Sequence, residues 1–249
     1  MKVIGVAIQK GGVGKTATST NLSAALAMRD KSVLLLDIDP QAHATISLGL
    51  DEWNQTATIY DVMVRGKPLK EVIRHTETPG LDIVPSTYDL AGAEMELSTR
   101  YGREFILREQ INQLDGYDFA IIDTPPSLGV LTANAIVASS ILIIPLQVEF
   151  LPMTGYAHLI KTLNLIGTHL NHNPEQRVLL TMFDGRTKTS QEVASQMREI
   201  FKDKVFKTII PRNIDISRAP SHGMTIFQYA PDSAGASSYS ELAEEILND

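Results

Sequence analysis

Lys2-Val3-Ile4-Gly5-Val6-Ala7-Ile8, followed at once by Gln9-Lys10-Gly11-Gly12-Val13-Gly14-Lys15-Thr16, is the stretch that decides the fold. Its first half is apolar and largely β-branched, as suits a strand covered on both faces. Its second half is a glycine-rich turn, and behind it Leu22, Ala25 and Leu26 recur at helical spacing. Strand, loop and helix in that order can cradle a phosphate. An anionic phosphate needs several inward-pointing backbone N–H groups, a helix N-terminus and a cation. Gly11, Gly12 and Gly14 let the backbone curl close, Lys15 can reach β- and γ-phosphates, and the Thr16 hydroxyl can ligate Mg²⁺. The common G-x-x-x-x-G-K-[ST] spacing would put glycine at position 9, where this chain has Gln9. A second lysine, Lys10, stands five residues before Lys15.

Outward from the loop, short apolar runs alternate with helix-like segments. Runs at 32–36, 81–84, 119–122, 141–144, 178–181 and 206–210 read as further strands; helical spacing covers 103–114, 129–138, 154–170, 188–202 and 234–247. Such alternation predicts an α/β fold, a mostly parallel twisted sheet with helices on both faces. Pro and Gly are scattered between elements and mark no linker, so residues 1–249 are expected to form a single domain. Residues 49–80 are the least regular part and read as a surface excursion.

Two runs end in carboxylates, at the strand ends where ligands of open parallel sheets gather. Leu34-Leu35-Leu36-Asp37-Ile38-Asp39-Pro40 places Asp37 and Asp39 on one side of an extended chain. Like charges so close need a shared cation or a positioned water, although Asp39-Pro40 also suits a plain turn. Ala120-Ile121-Ile122-Asp123-Thr124-Pro125-Pro126 ends a third strand in an aspartate suited to holding Mg²⁺ through its water shell.

Composition excludes several classes. The 249 residues carry no cysteine, which removes disulfides, thiolate metal sites and cysteine-ligated iron–sulfur clusters. No apolar stretch approaches the ~20 residues of a membrane span, and the N-terminus lacks a signal peptide's long apolar region, so a cytoplasmic protein is expected. The net charge of −7 argues against a uniformly basic nucleic-acid binder. Yet residues 177–230 hold nine Lys/Arg against five Asp/Glu. An electropositive region can therefore exist on an acidic chain, although such a run is also what a solvated face looks like.

Lys10-Gly-Gly-Val-Gly-Lys15-Thr16 resembles the deviant Walker A motif, whose signature is the early lysine. The ParA/Soj partition ATPases, MinD, the nitrogenase iron protein and the arsenite-pump ATPases share it. The missing cysteines disfavour the nitrogenase type, and these together with the absence of duplicated halves disfavour the arsenite type. The end, Tyr239-Ser-Glu-Leu-Ala-Glu-Glu-Ile-Leu-Asn-Asp249, is acidic where MinD has a basic membrane-binding helix, so no membrane partner is expected. The phosphate loop begins by residue 10, so the helix-turn-helix extension of larger plasmid ParA proteins is not expected. A small ParA/Soj-type ATPase remains, and the likeness runs nearly end to end.

That resemblance implies an ATP- and Mg²⁺-dependent ATPase that forms a homodimer when ATP-bound. It assigns Lys10, Gly11, Gly12, Val13, Gly14, Lys15, Thr16 and Ala17 to the nucleotide, with Ala17 standing where the family usually has threonine. Lys10 would reach the phosphates held by the opposing subunit, Asp39 would activate the attacking water, and Asp37 would support the metal held by Thr16 and Asp123. Met182, Pro211 and Asn213 would surround adenine. On residue type alone, Pro211 equally suits a strand terminator and Met182 a core filler. Phe150, after Gln147-Val148-Glu149, matches a family element near the dimer interface. The implied partners are non-specific double-stranded DNA and a ParB-type centromere-binding protein, with nucleoid association in the ATP state. Arg186 matches one DNA-contacting arginine of the family. A second family arginine falls on Asp215, a charge reversal; Arg218 lies three residues on, on the same face if 214–219 is helical. A ParA-like ATPase that positions a non-DNA cargo, or a small-molecule kinase or ligase using the same loop, are the rival readings.

Overall fold

The computed structural model describes residues 1–149 and 153–248; the expectation for Phe150 falls outside the described residues. One sheet of eight strands runs through them, in the order β3-β4-β2-β5-β1-β6-β7-β8. The strands are β1 (Lys2–Val6), β2 (Val33–Asp37), β3 (Arg74–His75), β4 (Leu81–Val84), β5 (Phe119–Asp123), β6 (Ile141–Gln147), β7 (Glu175–Phe183) and β8 (Val205–Pro211). All neighbours pair parallel except β3, which joins β4 antiparallel at the edge. The helices in chain order are α1 (Lys15–Ala27), α2 (His43–Ser47), α3 (Ile59–Met63), α4 (Ala93–Glu96), α5 (Ile106–Ile111), α6 (Val130–Ala138), α7 (Met153–Leu170), α8 (Lys188–Phe201), α9 (Ile214–Arg218), α10 (Ile226–Tyr229) and α11 (Ala234–Asn248).

The predicted α/β class holds, and the reason is burial on both faces. Along β2 the side chains alternate between two cores: Val33 and Leu35 join α1 and α11, while Leu34 and Leu36 join α3, α5 and α6. A third core, around β6, β7, α7 and α8, contains Ala7, Ile8 and Val13 and so anchors the loop after β1. Every predicted strand is present. β3 is an addition to them, because two antiparallel residues carry no periodic signal.

Residues 49–80 differ from the expected surface excursion. Ile59, Val62 and Met63 recur at helical spacing on α3 and are fully buried, as are Leu69 and Val72. Thr58 and Asp61 cap α3 reciprocally, which starts so short a helix cleanly. Only part of the segment, including Trp53 at 80% exposure, lies open to solvent. Among the described residues, no helix is long and apolar enough to cross a membrane.

Candidate functional site

Strand order decides where the chemistry gathers. β2, β5 and β1 are neighbours, with Asp37 opposite Asp123 and Val6 opposite Asp123 in register. The loop after β1, Asp39 beyond β2 and Asp123 at the tip of β5 therefore share one sheet edge, although they lie far apart in sequence.

A cavity of about 860 Å³ opens there, lined by Gly11, Gly12, Gly14, Lys15, Thr16, Ala17 and Asp39 from the first half of the chain. Gly14 adopts φ +92°, a left-handed conformation that suits glycine, and starts α1 without a side-chain cap. The first-turn N–H groups of α1 thus have no side-chain partner where the cavity lies, the arrangement a helix offers an anion. A Cβ built on Gly11 or Gly12 meets nothing within 4 Å, so open space sits against both. Val13 is buried, and its carbonyl accepts a hydrogen bond from the Thr181 hydroxyl at 2.9 Å, which ties the loop to β7.

Lys15 is buried, and its Nζ donates to the Lys10 carbonyl at 3.0 Å. Burial lowers its pKa, against the opposing pull of the Asp123 and Asp39 carboxylates. The Thr16 hydroxyl donates to Asp123 Oδ2 and the Ser19 hydroxyl to Asp123 Oδ1, each at 2.8 Å. Ser19 lies three residues after Thr16 on one helical face, a spacing that could disclose it from sequence. Asp123 is fully buried; desolvation raises its pKa despite these two bonds. Asp37 is raised too, by burial first and then by repulsion from Asp123.

Asp37 and Asp39 are placed differently. Asp37 is fully buried and spends its oxygens internally, on the Asp39 N–H (3.1 Å) and on the N–H and hydroxyl of Thr45 (2.8 Å each). Asp39 lines the cavity, and its Oδ1 accepts from the Gln41 N–H at 2.9 Å. Among the described residues, no cluster of three His, Cys, Asp or Glu could cage a metal by itself. A hydroxyl beside one carboxylate, next to space for phosphates, instead fits the donor set of a Mg²⁺ that keeps several waters.

The far side of the cavity comes from β7, β8, α9 and α11. Met182, Pro211 and Asn213 all line it. Met182 sits at φ +55° within the irregular pairing of β7 and β8, and Asn213 uses its Oδ1 to cap α9 through the Asp215 and Ile216 N–H groups. Ile210, Arg212, Ile216 and Tyr239 also line it, beyond the residues the sequence singles out. Nothing in local spacing marks Tyr239, which reaches the site because α11 packs on β8 and α1.

Lys10 is half-buried and is not among the residues lining this cavity. Neither are Arg186 and Arg218, which are exposed. Arg186 pairs with Asp184 through Nε and Nη2, at 2.9 and 2.8 Å, and this holds the Asp184 carboxyl well down, to about 2. Residues 214–218 are helical, so Asp215 and Arg218 do share a face.

A family described as an AAA domain matches residues 1–176. The sporulation initiation inhibitor protein Soj of Bacillus subtilis is 45% identical over 98% of either chain. The chromosome partitioning protein ParA of Myxococcus xanthus is 42% identical over 99% of this chain and 88% of its own. Among solved structures, cobyrinic acid a,c-diamide synthase from Mycobacterium smegmatis, with bound ATP analog and magnesium, superposes with a TM-score of 0.86 at 34% identity, over 100% of this chain and 95% of its own. The phosphate loop, the two aspartate-tipped strands and the end-to-end likeness to Soj and ParA agree: the chain belongs to the ParA/Soj family of partition ATPases.

Proposed function

We propose that this protein is a Mg²⁺-dependent ATPase that pairs on ATP, holds DNA without sequence preference, and drives chromosome or plasmid partition with a ParB-type partner. The observation that carries the reading is the convergence of Lys15, Asp39 and Thr16, the last hydrogen-bonded to buried Asp123, on one cavity beside an open glycine cradle. The M. smegmatis structure holds an ATP analog and magnesium on the same fold, which supports the same ligands here. Lys15 and the N–H groups of α1 bind the phosphates. Thr16 and Asp123 hold Mg²⁺, which when bound offsets charge on the β- and γ-phosphate oxygens. Asp39 orients the attacking water; Asp37, expected to support the metal, has both oxygens engaged by Asp39 and Thr45 away from the cavity and is proposed instead to fix the backbone beneath Asp39. Met182, Pro211 and Asn213 flank adenine. Lys10, outside its own chain's cavity, reaches the triphosphate of the opposing subunit and makes pairing depend on ATP.

DNA contact is assigned to Arg186 and Arg218, with the basic 177–230 segment around them; pairing two chains doubles that charge, and nucleoid association in the ATP state follows. Asp184 already occupies two of the five N–H donors of Arg186, so a DNA phosphate must use the remaining Nη1 and Nη2 hydrogens or displace the carboxylate. The test is a DNA-binding titration with ATP, ADP and no nucleotide, with the mass of the bound species measured alongside. Retention by a dimer, with ATP only and fading with salt, is the expected result. An ATP-dependent dimer that ignores DNA would point instead to a ParA-like ATPase positioning another cargo. ATP cleavage that requires an added small acceptor would favour a small-molecule kinase or ligase; the M. smegmatis neighbour is named a synthase.

A further inference from the structure

A closed ring of buried hydrogen bonds lies directly under Asp39. The Asp39 N–H donates to Asp37 Oδ1 at 3.1 Å, and Asp37 Oδ2 accepts the Thr45 hydroxyl at 2.8 Å. Thr45 Oγ1 accepts the Ser86 N–H at 2.9 Å, and the Ser86 hydroxyl donates to the Asp39 carbonyl at 2.7 Å. Asp37, Thr45 and Ser86 are all fully buried. An ionised Asp37 can only accept, so Thr45 Oγ1 gives its proton to the carboxylate while it accepts the Ser86 N–H.

The ring grips Asp39 at both ends. Its N–H is held from β2 and its C=O from the loop after β4, while the side chain between them projects to the cavity. The two peptide planes that flank a residue set the direction of its Cα–Cβ bond, so fixing both aims the carboxylate. Nothing in the ring touches the cavity except Asp39: Asp37, Thr45 and Ser86 do not line it.

We propose that Thr45 and Ser86 are positioning residues for ATP hydrolysis, which aim the Asp39 carboxylate at the attacking water by clamping the peptide on either side of it. This rests on the reading of Asp39 as the water-orienting group. Catalysis is sensitive to small errors of placement, whereas phosphate and base contacts made by other elements are not affected by the clamp. Loss of one ring bond should therefore lower the rate of cleavage and spare binding.

Thr45→Val removes the hydroxyl at nearly constant shape, Thr45→Ser restores it, and Ser86→Ala breaks the ring at its other end. Three readouts are taken: single-turnover ATP cleavage, ATP affinity, and hydrogen exchange over residues 38–46 and 86 in nucleotide-free protein. Thr45→Val and Ser86→Ala should cleave roughly tenfold more slowly, the size of effect one lost hydrogen bond supports. Their ATP affinity should stay within about threefold of wild type on the same grounds. Exchange should quicken in the 38–46 segment and not in β1 or β5, and Thr45→Ser should recover both rate and protection. Wild-type cleavage in both variants would overturn the proposal. So would a rate loss matched by an equal loss of affinity and protection throughout the sheet, which would mark a purely structural ring. Asp39→Ala is the control: if it cleaves ATP normally, the reading of Asp39 itself fails; if it is inactive while the ring variants are normal, only the clamp fails.

Discussion

Gly11 separates a structural turn from a phosphate cradle in a single substitution. Its φ is not in the left-handed region, and a Cβ built on it meets no atom within 4 Å. Gly11→Ala should therefore leave the free protein as stable as before, or raise its stability by about 0.4–1 kcal/mol, because alanine lowers the entropy of the unfolded chain. Gly12→Ala is the internal comparison. It also meets open space, but at φ +71°, where an L-residue costs roughly 1–2 kcal/mol. For a chain of this size that difference is a gap in melting temperature of about 2–8 °C between the variants. ATP affinity should not follow stability. If the open space is where phosphates sit, both methyl groups intrude on them, and each variant should lose at least ~1.4 kcal/mol of binding, a tenfold rise in Kd. Thermal melting without nucleotide and equilibrium titration with ATP·Mg²⁺ read the two effects independently. Wild-type affinity in Gly11→Ala would refute the cradle. A melting temperature several degrees below wild type would show that Gly11 is needed by the fold, against its open surroundings.

Lys10→Ala should still bind ATP within about threefold of wild type, since Lys10 lies outside the cavity, yet sediment as a monomer with ATP present. Dimer formation by this variant at wild-type concentrations would remove its role in pairing. Asp39→Ala should trap a stable ATP-bound dimer, visible by light scattering with cleavage slowed by at least ~10²-fold. Arg186→Glu should weaken ATP-dependent DNA retention and flatten its salt dependence by about one counterion for each DNA phosphate no longer neutralised, with dimerisation unchanged. Unaltered retention would move the DNA-binding face elsewhere.

The sheet is legible because each buried strand is a continuous apolar run, and the site because two of those runs stop at an aspartate. Asp37 and Asp123 are visible as chain positions, and parallel neighbours bring such ends together whatever their separation in sequence. What each carboxylate does is less visible. Asp37 turns inward to Thr45 while Asp39 faces the cavity, a distinction made by the loop after β4 through Ser86, 47 residues beyond Asp39. Alternation puts Asp37 and Asp39 on one side of a strand, but β2 ends at Asp37 and the chain turns there. The burial of α3 escapes a sequence reading because a one-turn apolar stripe at 59, 62 and 63 is hard to tell from scattered residues. Tyr239 lines the cavity through tertiary packing alone. The Asp184–Arg186 pair is open to anticipation, since an Asx turn with a basic residue two positions on closes naturally.

The buried carboxylates also imply that the nucleotide-free site strains the fold, and Asp123→Asn tests it. Asp37 and Asp123 face each other across the register of β2 and β5 without exposure to solvent. Both are pushed above the ordinary 3.8, chiefly by burial. An acid whose folded pKa exceeds its unfolded one binds its proton more tightly when folded. Its contribution to stability is therefore most favourable in acid and falls as pH rises from the ordinary carboxylate range toward neutrality. Asn at 123 abolishes one of the two charges at every pH. It can accept from Ser19 as Asp123 does, and the Thr16 hydroxyl can rotate to accept from the new amide. At pH 7.5 the variant should be more stable than wild type by about 1 kcal/mol, the low end of gains seen when buried charges are neutralised, or roughly 2–4 °C. At pH 5 the advantage should shrink, because Asp123 then carries more of its own proton. With ATP and Mg²⁺ the order should invert. Wild type at a hundredfold excess over Kd gains about 2.7 kcal/mol from ligand, and the variant should gain little of it if, as proposed, Asp123 holds Mg²⁺. A variant less stable than wild type by the same margin at both pH values would show that the Thr16 and Ser19 bonds outweigh the desolvation of Asp123. The site would then be relaxed before nucleotide arrives.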